Sequence, residues 1–475
     1  MHTHRRRGAR TKARPILLAL ALAVAGACDD PAIPNLNDPE LPDAVDTRAQ
    51  LQAQVSGLLA GDRDQHAFEI LVLETMGRDL YRIDPADPRF LQMPLGTFSP
   101  GAFLVDFSYN VHYRTIRGAQ ALIEAVDRSQ SLDGLPFADA DKAATKGFAR
   151  TMKALQYLRL VETRDTLGVP VMLGLGGTLD PIRCKPAVLD YVAALLDSAY
   201  AELQQGGSSF PFALPSGFGS SGAFDTPAGF AEFNRALAAK AHMYQGFLNY
   251  AASGSVDQAA LQAALDALAA APSLASESAP LRNGVYHVYT TGSGDVTNFL
   301  YNPSVYRANP RVRNEAEPGD ARLSKIRYDT LQKLVAGDTA VHSADLVANI
   351  SSPLTPSPIV LNEEMLLVQA EVLWGLGQDQ AALDIANFVR TKSGGFATPR
   401  TLGSFATRLD LLRFILQQKR YSLLFESGAR LIDYRMFGLF DELGPELTSR
   451  SMGERAIPFP QAEIDARGGD LACQP

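Results

Sequence analysis

Apolar residues recur at i, i+3 and i+4 through most of the chain, a spacing that lines one face of a helix. The segments 51–59, 67–80, 109–126, 143–162, 188–203, 230–250, 257–269, 363–374, 380–389 and 409–425 all carry it. Strict two-residue alternation is scarce, so the expected fold class is all-α, with at most a few short hairpins in long irregular loops. Several helices fall in pairs, most clearly over 362–390. There Gly375 and Gly377 interrupt the first helix, Asp379 is placed to cap the second, and Ala382, Ile385, Ala386 and Val389 form one apolar stripe. Small residues such as Ala370, Ala382 and Ala386 let two helices approach closely, the logic of a tetratricopeptide-type hairpin. The segments 233–250 and 257–269 form a second such pair, although no strict 34-residue period runs through the sequence. Long insertions separate the pairs, and function is expected on those loops.

The N-terminus follows another pattern. Arg5, Arg6, Arg7, Arg10, Lys12 and Arg14 precede a twelve-residue apolar run, 16–27, which is too short to span a bilayer. The run ends in the small residues Ala25, Gly26 and Ala27, directly before Cys28, Asp29 and Asp30. This order predicts a secretory leader over 1–27 and lipidation of Cys28, with ordinary cleavage after Ala27 as the alternative. A bacterial lipobox usually has a large aliphatic residue where this chain has Ala25. The Pro/Asn/Asp-rich stretch that follows reads as a flexible tether over 28–45, ahead of one helical domain over 46–475, divided near residue 230 into N- and C-terminal parts.

Charge narrows the partners. The leader takes six of the 44 basic residues in the 475-residue chain, leaving 38 against 52 acids and a net charge of about −14. Such a balance argues against nucleic acid, and against adsorption to anionic lipid through a basic face. Beyond the leader no segment has the roughly twenty consecutive apolar residues of a membrane helix. Cys184 and Cys473 either pair outside the cytoplasm or stand as separate thiols, since spacing alone does not fix their proximity. Neither a metal site nor a cofactor is expected: there is no CxxC, no histidine cluster, no G-x-S-x-G elbow and no P-loop. The string GFGSSG at 217–222 matches a dinucleotide-binding pattern in letters, but Pro215 and Pro227 bracket it where a strand and a helix are required, so it reads as a loop. His112 and His242 fall within helices and read as packed or surface residues.

The aromatics are more informative. Phe210, Phe212, Phe218 and Phe224 occupy a Gly/Ser/Pro-rich loop, while Tyr286, Tyr289, Phe299, Tyr301 and Tyr306 occupy another rich in Asn, Thr and Gly. Aromatic faces on loops stack against sugar rings, and neighbouring polar groups read hydroxyls. Phe218, Phe224, Tyr286, Tyr289, Tyr301 and Tyr306 are therefore the ligand-binding candidates; the competing role is to plug small clusters beneath the loops.

Three C-terminal stretches carry a resemblance. NEEMLLVQAEVLWGLGQDQAALDIANFVRTKSG resembles, at Glu364, Leu367, Ala370, Glu371, Asn387, Val389 and Arg390, a segment of the RagB/SusD family of nutrient-uptake outer-membrane lipoproteins. ILQQKRYSLLFESGARLIDYRMFG is similar to a second family segment, with Gln418 and Ser422 where acids are usual and one extra residue between Glu426 and Arg430. IPFPQAEIDAR resembles the family's ending, with Arg467 in place of the common Asn. Weaker echoes at 109–126 and 146–171 extend the likeness over most of the chain. From the residues alone, Glu426, Arg430, Asp433 and Arg435 form a charge cluster expected to hold their turn as one ion network.

The resemblance implies four tetratricopeptide-like helix pairs carrying a loop-rich ligand surface. It further implies a non-enzymatic, lipid-anchored protein on the outer face of an outer membrane, binding a glycan or oligopeptide and delivering it to a partner TonB-dependent transporter of the SusC type. The alternative from another class is a periplasm-facing tetratricopeptide scaffold serving outer-membrane assembly.

Overall fold

A computed structural model describes residues 44–475 except 173, 176–178, 221–222, 293–294, 337–338 and 446–454. The predicted leader, Cys28 and nearly all of the tether lie outside the described residues. Helix α1, Arg48–Met76, is opened by a capping box in which the Thr47 hydroxyl accepts the Gln50 N–H at 3.2 Å and the Gln50 side chain accepts the Thr47 N–H at 3.1 Å. It packs on α2, Phe103–Arg128, which packs on α3, Asp139–Arg164. The array continues through α4, Lys185–Gln204, α5, Pro227–Gly246, and α6, Gln258–Ala269. It resumes with α7, Asn362–Gly375, α8, Asp379–Lys392, and α9, Arg408–Ser422, and α10, Ala429–Met436, returns to pack on α1. Consecutive helices pair as tetratricopeptide-like hairpins, and these residues form one compact unit, Asp43–Pro475.

Two glycines set how closely the middle of the array packs. A Cβ on Gly246 would lie 2.3 Å from Leu261 Cδ2, and one on Gly375 would lie 2.6 Å from both Leu261 Cδ1 and Phe247 Cζ. The α5, α6 and α7 backbones therefore converge on Leu261 with no room for a methyl group. Ala370, Ala382 and Ala386 are fully buried at the α7–α8 contact, as their spacing predicts. Asp379 does not cap α8, whose N-cap is Gln378; its carboxylate instead accepts Arg408 Nη2 at 2.8 Å, tying α8 to the start of α9.

Two departures from the pattern reading have physical causes. The segments 51–59 and 67–80 are one helix. Its middle reads as polar and helix-breaking, yet Asp62, His66 and Glu69 are buried there. They meet Arg159 of α3 and His287, so this stretch packs through charge and hydrogen bonds rather than through apolar periodicity. The second departure is a long β-hairpin. Strands β1, Leu80–Arg82, β3, Tyr306–Ala308, β4, Ile326–Ala336, and β5, Thr339–Val347, form an antiparallel sheet ordered β1-β3-β5-β4. A register shift between Tyr328 and Gln332 breaks the alternation of β4, and Tyr328, Leu331 and Val335 face solvent. Strand β2, Gly284–His287, pairs with β6, Ser357–Leu361.

The turn 426–435 is held differently from the single network expected. Its four charged residues are buried, but each leaves for a separate partner. Glu426 takes Arg282 at 2.8 Å, Arg430 takes Glu315 at 2.8 Å, and Asp433 takes Lys419 at 2.9 Å, while Arg435 donates to the backbone carbonyls of Glu162 and Arg455. The turn works as a hub tying distant segments together, because like-charged neighbours spread apart to reach opposite charges. Gln418 and Ser422 are a matched pair: both accept from Arg322, at 2.8 and 3.1 Å. Among the described residues no helix is long and apolar enough to cross a membrane, and no cluster of His, Cys, Asp or Glu could hold a metal ion.

Candidate functional site

A cleft of about 680 Å³ opens where α1, β1, α2 and the loop after β2 meet. Helix α1 presents Arg63, Asp64, Ala67 and Phe68 to it, residues an i, i+4 spacing places on one face. Phe103, Phe107 and Arg114 project from α2 by the same rule. Arg82 comes from β1, Phe90 from the following 3-10 turn, and Tyr289, Asp295, Val296, Thr297 and Phe299 from the loop.

The floor of this cleft is aromatic. Phe68 touches both Phe107 and Phe299, with ring centroids 5.3 and 6.2 Å apart. Phe107 and Phe299 keep 48% and 43% of their surface exposed, an unusual state for phenylalanine unless something covers it. Arg82 lies 3.9 Å over the Phe90 ring and 5.5 Å from that of Phe299, held from behind by Asp84 at 2.9 Å. Arg63 is fixed by an ion pair with Asp295, donates to the Val288 carbonyl at 2.9 Å, and sits 5.7 Å over Tyr289. Burial pushes the Asp64 carboxyl above its usual range, against the pull of Arg63 and Arg114. The result is an apolar surface of tilted rings with a polar rim in which Arg63 and Arg82 are held by Asp295 and Asp84, able to stack a ring on one face and hydrogen-bond its edge.

The candidates read from the sequence divide. Tyr289 lines the cleft, largely buried, with burial pushing its phenol up to about 12. Tyr306 supports the floor from beneath, its ring 6.1 Å from Phe299 and its hydroxyl accepting Arg82 Nη1 at 3.5 Å. Tyr286 lines a smaller neighbouring pocket of about 230 Å³ that shares Arg63 and Asp295, and its hydroxyl donates to the Arg282 carbonyl. Tyr301 is partly buried outside the cleft lining. Phe218 and Phe224 are core residues, 1% and 0% exposed, so the first aromatic loop follows the packing alternative. Phe218 stacks on Phe230, which itself packs against Phe148, Phe210 and Phe233. Phe68, Phe90, Phe103 and Phe107 do not stand out in the sequence, because in a helix or turn each reads as an ordinary core position; only the outward i, i+4 pair of Phe103 and Phe107 hints otherwise.

Elsewhere, Cys184 and Cys473 are joined by a disulfide with Cα atoms 4.9 Å apart. His112 is fully buried and bonds Gln156 at 2.9 Å, and His242 bonds Gln245 at 2.8 Å. The described part of the 217–222 loop is a turn, closed by the Phe218 N–H donating to the Pro215 carbonyl at 2.9 Å.

The fold is SusD-like. A SusD superfamily protein from Bacteroides thetaiotaomicron superimposes with a TM-score of 0.63 at 16% identity, covering 89% of this chain and 98% of that one. NanU of B. fragilis gives 0.62 at 16% identity, with 89% and 95% covered. A structure solved with a xylogluco-oligosaccharide gives 0.59 at 14% identity, with 83% and 85% covered. No family model matches the sequence, and no curated protein matches it.

Proposed function

We propose that this chain is a lipid-anchored, cell-surface binding protein of an outer membrane that captures a glycan in the aromatic cleft and passes it to a TonB-dependent transporter of the SusC type. The observation that carries the reading is the pair of exposed rings, Phe107 and Phe299, flanking Phe68 beneath a rim of Arg63, Asp64, Arg82 and Arg114. Sugar rings present an apolar face and a hydroxylated edge, which this surface complements; a peptide would not need two exposed rings on one shelf. The oligosaccharide complex of a protein with the same fold supports the ligand class. The protein acts by binding: turnover of a bound glycan by pure protein would overturn that part. Cys28 and the tether beyond it would keep the domain beside its barrel at high effective concentration.

Titration calorimetry against a panel of plant and host oligosaccharides tests the cleft. Replacing Phe107 and Phe299 together by Ala is expected to weaken the best ligand at least tenfold, each stacked ring contributing about 1 kcal/mol, with the unfolding midpoint unchanged. Equal affinity in the variant would remove the cleft as the binding surface. For the partner, copurification from native membranes through a tag on this chain should bring a TonB-dependent barrel; its absence would sink the transporter role.

A further inference from the structure

A second cavity, of about 490 Å³, lies away from the aromatic cleft, between the C-terminal end of α3, the N-terminus of α4, the C-terminal end of α5, α10 and the C-terminal tail. Its apolar lining comes from Val161, Phe247, Leu248, Ile432 and Met436. Its polar lining comes from Glu162, Asp165, Lys185, Tyr244, Arg435 and Arg455, beside the Cys184–Cys473 disulfide.

Basic side chains in the lining, Lys185, Arg435 and Arg455, outnumber the acids Glu162 and Asp165. Glu162 is matched by Lys240 at 3.3 Å and accepts the Tyr244 hydroxyl at 2.6 Å, and Lys185 is matched by Asp165 at 2.6 Å. Arg435 makes no ion pair among the described residues, and it shares the pull of Asp165 and Glu162 with Lys185 and Lys240. It is only 7% exposed, its Nη atoms meet backbone carbonyls alone, and its Nε has no partner among the described residues. Burial lowers the affinity of this guanidinium for the proton, and the opposing pull of Asp165 and Glu162 does not fully offset it. Asp165 holds a positive φ of 47°, a conformation a non-glycine residue keeps only when its surroundings impose it. The N-terminus of α4 adds favourable potential for an anion, since Cys184 makes no side-chain cap.

We propose that this cavity binds a small organic carboxylate, its anionic head against Arg435 and Lys185 and its apolar body against Phe247, Ile432 and Met436. The site is independent of the aromatic cleft: a glycan bound there would neither require nor exclude it.

The test uses the full chain with [13C]methyl-methionine and three probes, phenylacetate, benzyl alcohol and acetate. Phenylacetate is expected to shift the Met436 methyl signal saturably, with benzyl alcohol and acetate at least about tenfold weaker because each lacks one half of the chemistry. Lys185→Gln should weaken phenylacetate about tenfold, and Ala251→Phe, at an exposed position on the cavity rim, should abolish the shift with an unchanged unfolding midpoint. No saturable shift with phenylacetate, or equal binding of benzyl alcohol, would overturn the proposal. The three-probe comparison on the unaltered chain decides the matter even where a variant fails to fold.

Discussion

Buried titratable residues set the pH range in which this protein stands. Burial pushes the Glu69 carboxyl up to about 8, against Arg159 at 3.2 Å, which does not fully compensate it. Unfolded, that carboxyl loses its proton near its ordinary value of about 4.5, so between roughly pH 4.5 and 8 the folded state binds more protons and stability falls as pH rises. Burial also lowers the His112 imidazole to about 4, so between pH 6.5 and 4 the unfolded state binds more protons and stability falls as pH drops. Each effect reaches an upper bound of a few kcal/mol, since a tenfold change in proton affinity on folding is worth about 1.4 kcal/mol. The two slopes oppose each other between about pH 4.5 and 6.5, so thermal unfolding across pH 4–9 should show its clearest loss of stability as pH rises from about 6.5 to 8. Glu69→Gln should flatten the alkaline side without abolishing its slope, since Glu74 and Glu371 are also pushed up to about 8. An unchanged alkaline limb in Glu69→Gln would mean that Glu69 is ionised in the folded state.

At the scale of elements, the contact between α1 and the 426–435 turn depends on one residue. Gly428 has φ = +66°, and a Cβ there would lie 2.3 Å from Leu73 Cβ, an atom that no rotamer change moves. Glu74 of α1 accepts the N–H groups of Phe425 and Gly428, at 3.1 and 3.0 Å, on the same turn. Gly254 has a similar φ of +69°, but a Cβ there would meet nothing within 4 Å. Gly254→Ala should cost about 1 kcal/mol from left-handed strain alone, and Gly428→Ala about 3 kcal/mol from strain plus overpacking. Chemical denaturation separates these, and equal losses would show that the Leu73 contact yields easily. Element positions themselves were largely legible: α2 through α9 fall where the helical periodicity puts them. The unbroken α1 and the β4–β5 hairpin were not, because buried charge and solvent-facing apolar residues carry no periodic signal.

Across the whole molecule, the C-terminal tail is tied back onto α4. Beside the disulfide, which joins residues 289 apart in sequence, Gln474 bonds the backbone of Ile182 and Cys184, each at 2.8 Å. Closing so long a loop in the unfolded chain is the largest entropic restraint here, and replacing both cysteines by serine should lower stability by about 2–5 kcal/mol. A loss well under 1 kcal/mol would place the restraint in the backbone pairing instead. The cleft belongs to this scale too. Its rings come from α1, the turn after β1, α2 and the loop after β2, with Phe68 and Phe299 about 230 residues apart in sequence, so no local motif announces them.

The sequence by itself determined the helical-hairpin architecture, the α7–α8 packing through Ala370, Ala382 and Ala386, and the tyrosine loop that supplies Tyr289 and Tyr306. These are local properties: periodicity and side-chain size act between neighbours along a helix. The tertiary structure alone decided which aromatics face solvent, sending Phe218 and Phe224 into the core and leaving Phe107 and Phe299 exposed. It also decided that Cys184 meets Cys473 and that Arg435 donates to the backbone carbonyls of Glu162 and Arg455. Exposure and charge balance are sums over everything packed around a residue, and that sum exists only once distant segments have been brought together.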